Sequence, residues 1–322
     1  MEYRPLGRSG LAVSAIGFGA WGIGGNLWVG ADDGESVRAL HRAIDLGVNL
    51  VDTALAYGEG HSERLVGRVV RERKETVHVA TKVPPKNRAW PATRDVPVSE
   101  TFPPHYVVEC CERSLKNLGV DRIDLLQLHV WHDAYLEQDG WRGALEKLKS
   151  TGKVRLVGAS VSEHDTDSAM QAVEADVFDA FQVLVNVFEQ RPAERFLPAC
   201  EEYGVGVLAR VPFDEGGLTG AVTPDTTFPA GDFRNRYFQG DRKREVQARV
   251  QRLRTLLGEE ARTLPELALR YCLSLPAVST VIPGMRRTAH VEANVPAGDG
   301  RALSASLLKS LEAHAWPRNF YH

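Results

Sequence analysis

One pattern recurs along the chain: a short run rich in Val, Ile and Leu, then an amphipathic stretch of helical period. Apolar runs near 15–19, 48–52, 76–82, 123–129, 153–159, 179–185, 205–210 and 278–282 predict eight strands of the kind buried in a parallel sheet. Helical patterns fall near 34–47, 61–72, 104–119, 141–151, 165–175, 193–204, 241–257 with 264–274, and 286–295, and a terminal one lies near 303–316. Ahead of them YRPLG and LAVS flank an RSG turn, which predicts an N-terminal hairpin. Ser62-Glu63, Pro103-Pro104 and Pro192 supply capping or first-turn signals. Strict βα alternation argues for a parallel sheet, and eight units argue for closure. The expected fold is therefore α/β, a (β/α)8 TIM barrel with an N-terminal β-hairpin and long βα loops. Two of those loops, 83–103 and 211–240, are long enough to be functional or disordered. No Ser/Gly-rich linker divides the chain, so residues 1–322 are expected to form one domain.

Composition narrows the function without fixing it. With 43% hydrophobic residues, 322 residues can bury a large core. The 39 basic and 42 acidic residues leave a formal charge of −3, which asks for neither nucleic acid nor an acidic membrane surface. Cys110, Cys111, Cys200 and Cys272 contain no CxxC spacing, which suggests a reduced, cytoplasmic setting. MEYRPLGRSG lacks an apolar signal region, and no later stretch reaches the ~20 apolar residues of a membrane span.

The barrel expectation gives weight to four side chains. Active sites of such barrels sit at the C-terminal ends of the strands. Asp52, Lys82 and His129 close the second, third and fourth apolar runs, and Tyr57 follows Asp52 by five residues. A carboxylate, a phenol, an ammonium and an imidazole in one mouth suit proton transfer to a carbonyl oxygen as hydride reaches its carbon. A free tyrosine has a pKa near ~10, and a cation beside it favours the phenolate. Lys82 supplies that cation and Asp52 keeps it charged. His129 either donates a hydrogen bond to the substrate oxygen or shares the proton with Tyr57.

Two motifs invite other chemistry. Gly17-Phe-Gly19-Ala-Trp-Gly22 fits GxGxxG, but the helical period resumes only near Gly34, too late for a Rossmann turn. His129-Val-Trp-His132-Asp133 looks like a metal site, yet barrel metallohydrolases commonly carry HxH on the first strand, where this chain has GFG. No metal is expected. After the eighth strand, IPGMRRTAH opens a helix with Arg286, Arg287 and His290, a setting suited to a phosphate.

Seven segments, VDTALAYGEGHSE, ATKVPP, GVDRIDLLQLH, GASVSEHD, QVLVN, ARVPFDEGGLTG and STVIPGMRRTAHVEAN, resemble the aldo-keto reductase superfamily in order and over nearly the whole chain. The resemblance implies NADPH bound without a Rossmann domain and a small carbonyl substrate. It makes Tyr57 the general acid/base, its pKa lowered by Lys82, with Asp52 paired to Lys82 and His129 orienting the carbonyl. For the cofactor it implies Gly284, Met285, Arg286, His290 and Asn294 at the adenosine 2′-phosphate and adenine. Pro212, Phe213, Gly217, Leu218 and Gly220 would wrap the pyrophosphate, Arg234 or Arg236 would add a charge, and Ser160 and Gln182 would hold the carboxamide. Asp52, Ala20 and Trp21 would lie beside the nicotinamide. Two arginines with no acid beside them favour NADPH over NADH.

Two departures stand out. Val161 replaces an asparagine common in the family, and Arg210 stands where many members place an aromatic ring, so a guanidinium would stack there instead. The expected substrate wall comprises Trp21, Leu55, Tyr57, Trp90, His129 and Trp131, with Trp28 and Phe102 as outside candidates for it, and favours planar or hydrophobic aldehydes and ketones. The C-terminal AWPRNFYH would either reach this mouth or cap the barrel bottom. The alternatives are a cofactor-binding regulatory subunit resembling potassium-channel β subunits, marked by tight binding and slow turnover, and a metal-dependent hydrolase.

Overall fold

A computed structural model of the chain describes residues 1–163, 165–319 and 321. Tyr3–Pro5 (β1) and Ala12–Ser14 (β2) form the antiparallel hairpin. Eight strands follow: Phe18–Gly19 (β3), Leu50–Asp52 (β4), His78–Val83 (β5), Ile123–Leu128 (β6), Val154–Ser160 (β7), Ala180–Leu184 (β8), Gly206–Arg210 (β9) and Val278–Val281 (β10). All neighbours pair in parallel from β3 to β10 in chain order. Parallel bridges Ile16 to Val281 and Gly19 to Gly284 join the two ends, closing the (β/α)8 barrel. Gly19 is required at that seam, because a Cβ there would stand 2.6 Å from the Ile282 carbonyl oxygen. This seam, rather than a nucleotide turn, is the work of the first GxG; a single 3-10 turn follows at Trp21–Ile23, and the next α-helix begins only at Asp33.

The hairpin plugs the bottom of the barrel. Leu6, Leu11 and Val13 pack with Leu50, Ala80, Leu125, Leu156, Ala180 and Leu208 in a separate apolar cluster. Helices and the outer faces of the strands form the larger core. Local signals act where the sequence offers them: Asp32 accepts from the Glu35 amide to cap the helix Asp33–Asp45, and Pro103 precedes the helix Pro104–Leu118. Ser62 departs from its expected capping part. Its hydroxyl donates to the Ala20 carbonyl and shares a hydrogen bond with Thr53, tying the β4 loop to the β3 loop. The 165–175 helix is shorter than its periodicity predicts, a 3-10 turn at Thr166–Ala169 leading into Met170–Glu174. Both long loops carry structure of their own, a helical turn at Val98–Thr101 in one, and turns at Asp214–Thr219 and Arg234–Tyr237 in the other. No helix among the described residues is long and apolar enough to cross a membrane.

Candidate active site

Asp52 is the last residue of β4, Lys82 the penultimate residue of β5, and His129 the first past β6. Lys82 is fully enclosed, and each of its directions is used: Nζ donates to Asp52 Oδ2 at 2.7 Å, to the Thr53 carbonyl at 2.7 Å and to the Tyr57 hydroxyl at 3.3 Å. Tyr57 lies in the turn after β4, and Gly58 beside it has φ +65°, with the Gly24 carbonyl where a Cβ would go. Glycine is thus built into the YGEG turn that delivers the phenol. The His129 ring stands edge-on to Tyr57 at 5.7 Å, and Trp90 stands edge-on to His129 at 4.5 Å.

Burial dominates the proton chemistry. It pushes the Tyr57 phenol up; Lys82 pulls it down, Asp52 pushes it up again, and the net pKa is above the ordinary value. The expected lowering by Lys82 is therefore present but outweighed, and the phenol is a proton donor at neutral pH. Burial disfavours the Lys82 ammonium, yet Asp52 and Tyr57 more than offset it and raise its pKa. His129 is driven well below the usual imidazole range by burial, then by Lys82 and Arg210, and is neutral. Its Nδ1 is enclosed with no hydrogen-bond partner among the described residues, so Nε2 is the nitrogen open to the pocket.

Behind the quartet lies a pair that sequence reasoning only half found. Gln182 Nε2 donates to Asp52 Oδ1 at 2.8 Å, and Gln127 Nε2 donates to the same oxygen at 3.3 Å. Gln182, expected beside the carboxamide, has its amide nitrogen committed to Asp52. Gln127 was visible as a lone polar residue at a buried position of IDLLQL.

The residues named for the dinucleotide fall around the same mouth with different exposures. The Ala20 amide donates to the Asp52 carbonyl, and Trp21 packs against Tyr57 at 6.2 Å, Trp28 at 5.8 Å and Phe233 at 5.3 Å. Ser160 ends β7, and Val161 uses its carbonyl to accept from Arg210, which also pairs with Glu163 at 3.1 Å. That pair answers the charge at Arg210; nothing in these contacts depends on the Val161 side chain. Pro212 is buried and Phe213 half-buried, Gly217 lies within the turn Asp214–Thr219 and Gly220 ends it, and Leu218 is enclosed in the core. Met285 is fully buried and packs into the core. Arg234 pairs with Asp232 and lies over the Trp28 ring at 4.4 Å, while Arg236 donates to the Tyr321 carbonyl.

At the end of β10 the charge is less balanced. Arg286 donates to the Val29 carbonyl, and among the described residues no carboxylate bonds it. Its pKa is lowered by burial and then by Arg234 and Arg287. His290 is lowered by burial and by Arg287 and Arg286. Asn294 ends the helix Thr288–Asn294, buried. One acid does stand here, against expectation: Glu35 accepts from the Thr288 amide at 2.8 Å, at the start of that helix.

The wall differs from expectation at one tryptophan. Leu55 is buried beside Tyr57 in the turn and Trp90 is exposed above His129, but Trp131 is fully enclosed among Tyr135, Trp141 and Phe178, its Nε1 donating to Asp133. Phe102 is likewise core, against Tyr135. An aromatic residue three positions past a strand end packs under the helices when the loop turns outward, and the sequence carries no sign of that turn. His132 and Asp133 have structural work, accepting from the backbone amides of Ala134 and of Gln171 and Ala172. The tail reaches the mouth: the Tyr321 hydroxyl donates to Glu215 at 2.5 Å, and its ring meets Phe233 and Tyr237. Phe320 and His322 of that tail, and His164 of GASVSEHD, lie outside the described residues.

Known proteins resemble this chain over nearly its full length. Residues 15–315 match the model of the Aldo/keto reductase family. The chain is 32% identical to aldo-keto reductase YhdN of Bacillus subtilis, covering 91% of this chain and 87% of the relative. It is 29% identical to the NADH-specific methylglyoxal reductase of Escherichia coli, covering 92% and 93%. A probable voltage-gated potassium channel subunit beta of Arabidopsis thaliana is 31% identical, covering 93% and 92%. Among solved structures, aldo-keto reductase AKR11C1 of Bacillus halodurans in its holo form superposes with a TM-score of 0.75 at 28% identity, covering 98% and 96%.

Proposed function

The chain belongs to the aldo/keto reductase family, and on that premise we propose that it is an NADP-dependent oxidoreductase that interconverts aldehydes or ketones with alcohols, with Tyr57 as general acid and base. The observation that carries this reading is the hydrogen-bonded series Asp52, Lys82, Tyr57 in one barrel mouth beside a neutral His129. A buried phenol whose oxygen touches an ammonium has a stable form on both sides of a proton transfer.

The residues present fit a nicotinamide dinucleotide. Arg286 is a half-buried cation crowded by two others and bonded by no carboxylate among the described residues, which favours an added anion. A Cβ placed on Gly284 would meet open space, so backbone is accessible beside that cation. Gly284, Arg286, His290 and Asn294 would hold the adenosine end, the 212–220 segment the pyrophosphate, and Ser160, Gln182, Trp21 and Arg210 the nicotinamide. With Nε2 of Gln182 committed to Asp52, its Oε1 is the atom left to accept from a carboxamide. Arg286 supports the 2′-phosphate form; the name of the Escherichia coli relative makes NADH the competitor to measure.

The bound dinucleotide supplies the hydride. Tyr57 gives its proton to the carbonyl oxygen, and His129 Nε2 orients that oxygen by a hydrogen bond. The Lys82 ammonium stabilises the phenolate left behind, and Asp52 keeps Lys82 charged. In the oxidative direction the phenolate takes the alcohol proton back. Trp21, Leu55 and Trp90 make the mouth apolar and aromatic, which supports planar or hydrophobic carbonyl compounds over charged ones.

NADPH absorbance followed with a panel of aromatic aldehydes tests the reading. Wild type should turn over with a nicotinamide cofactor, and Tyr57→Phe should lose about 10²- to 10⁴-fold in kcat while still binding the cofactor. Full activity in Tyr57→Phe, or turnover without any nicotinamide, overturns it. Tight NADPH binding with negligible turnover across the panel would replace it with the binding-subunit reading raised by the name of the Arabidopsis relative.

A further inference from the structure

Two glutamines are buried in the barrel at the floor of the quartet. Gln127 of β6 is fully enclosed and Gln182 of β8 is 2% exposed. Below them the interior is the leucine and alanine cluster over the hairpin. A buried primary amide costs free energy unless its donors and acceptor are used. Two neighbouring glutamines could satisfy one another alone, and Gln182 Nε2 does lie 3.4 Å from Gln127 Oε1. Yet both amide nitrogens also converge on one atom, Asp52 Oδ1, which is the carboxylate oxygen that Lys82 does not use. Asp52, Gln127 and Gln182 come from alternate strands, as the residues of one interior barrel layer do.

We propose that Gln127, acting with Gln182, is a positioning residue that fixes the Asp52 carboxylate and thereby aims the third proton of the Lys82 ammonium at Tyr57. This inference rests on the reductase reading above. With Oδ1 held by two amides, the carboxylate plane cannot turn, and Oδ2 stays on Nζ at 2.7 Å. The Thr53 carbonyl takes the second proton of Nζ at 2.7 Å. An ammonium with two directions fixed has its third direction fixed as well, and the Tyr57 oxygen lies along it at 3.3 Å. Amides suit this task because they cannot titrate, so they hold the carboxylate without competing for its partner's proton. They also screen a charge that otherwise raises the phenol, since Asp52 acts on Tyr57 in that direction. Gln127 touches neither cofactor nor substrate in this account; it acts through Asp52 and Lys82.

The test is Gln127→Met, which keeps the length of the side chain and removes the donor, with Gln127→Glu as the isosteric companion. In carbonyl reduction with NADPH, Gln127→Met should lose about tenfold in kcat with KM for the carbonyl within about twofold. The pH limb assigned to Tyr57, falling for reduction and rising for alcohol oxidation, should move to higher pH, because the Asp52 charge is less screened. Gln127→Glu should move it further in the same direction. A merely structural glutamine would lower the melting temperature and the yield of active protein without moving that limb, so an unmoved limb in a folded variant overturns the inference. Where the Met variant does not fold, the Glu variant decides alone. Failure of the underlying reading shows separately, as wild type lacking nicotinamide-dependent turnover or Tyr57→Phe keeping it, and takes this inference with it.

Discussion

The molecule contains the same three groups twice. Asp52, Lys82 and Tyr57 form one set of carboxylate, cation and phenol; Asp214, Arg242 and Tyr237 form another, also buried. In the first set the phenol oxygen faces the cation, which donates to it. In the second the Tyr237 hydroxyl donates its proton to Asp214 at 2.6 Å, and the Arg242 guanidinium lies over the ring face at 4.4 Å. Burial and then Asp214 push the Tyr237 phenol well above its ordinary value. Deprotonating it would set a phenolate against a carboxylate, so the second set locks its proton in place. The first leaves the phenol oxygen beside an ammonium that stabilises the anion. Reactivity follows from which neighbour the oxygen meets, and the composition of the cluster does not decide it.

Breaking the cation in each set separates the two roles. Lys82→Met should cost about 3–5 kcal/mol of stability, because Asp52 keeps a buried charge without its partner, and should cost at least ~10²-fold in kcat. Arg242→Met should cost stability of the same order, for the same reason at Asp214. Its activity per folded molecule should nevertheless stay within about threefold of wild type. Urea unfolding and NADPH consumption on the same samples provide both readings. Loss of chemistry in both variants would dissolve the distinction.

A smaller effect probes the link between the second set and the tail. Glu215 follows Asp214 in the left-handed region at φ +53°, and its carboxylate accepts from Tyr321. Burial raises its pKa to about 7, Tyr321 opposes this, and Asp214 adds to it. A carboxylate that holds its proton more tightly when folded favours the folded state at low pH. That contribution is complete below the ordinary carboxylate range and is lost as pH rises from there towards 7. It amounts to a loss on the order of 3 kcal/mol. Unfolding free energy should therefore decline from pH 5 to pH 8 in wild type and decline less in Glu215→Gln. Equal slopes would mean that Glu215 ionises no differently in the folded protein.

The two sets also differ in how far the sequence exposes them. Asp52, Lys82 and His129 end consecutive apolar runs, and backbone register alone brings them together; Tyr57 is five residues from Asp52 in a turn that its glycines specify. The eight-strand barrel was legible for the same reason, since burial on both faces writes itself into runs of Val, Ile and Leu. Asp214 meets Arg242 and Tyr237 across a loop, and Tyr321 arrives from the far end of the chain to meet Glu215. No periodicity encodes such contacts. Trp131 shows the complementary failure, because its position past a strand matches a pocket wall while the path of its loop carries it into the core. Gln127 lies between: a polar residue at a buried position of an apolar strand signals a partner, but the identity of that partner, Asp52, required the closed barrel.

The smallest effect concerns cations that lack what Arg242 has. Arg242 holds both oxygens of Asp214, at 2.8 and 2.9 Å, whereas Arg286 has only the Val29 carbonyl as a hydrogen-bond partner among the described residues. Arg234 and Arg287 crowd it, so its charge is uncompensated by any bonded acid. If that charge is kept for the 2′-phosphate, Arg286→Ala should raise KM for NADPH about tenfold, which corresponds to ~1.4 kcal/mol, and should leave kcat unchanged. KM for NADH, which lacks that phosphate, should move by less than about twofold, so the preference between the cofactors narrows. Glu35 at the Thr288 amide sets the counter-expectation, since a carboxylate at that helix start disfavours a second anion there. Equal loss for both cofactors would place Arg286 on a group they share, and no loss for either would leave the cation as packing against Trp28, whose ring lies 5.9 Å away.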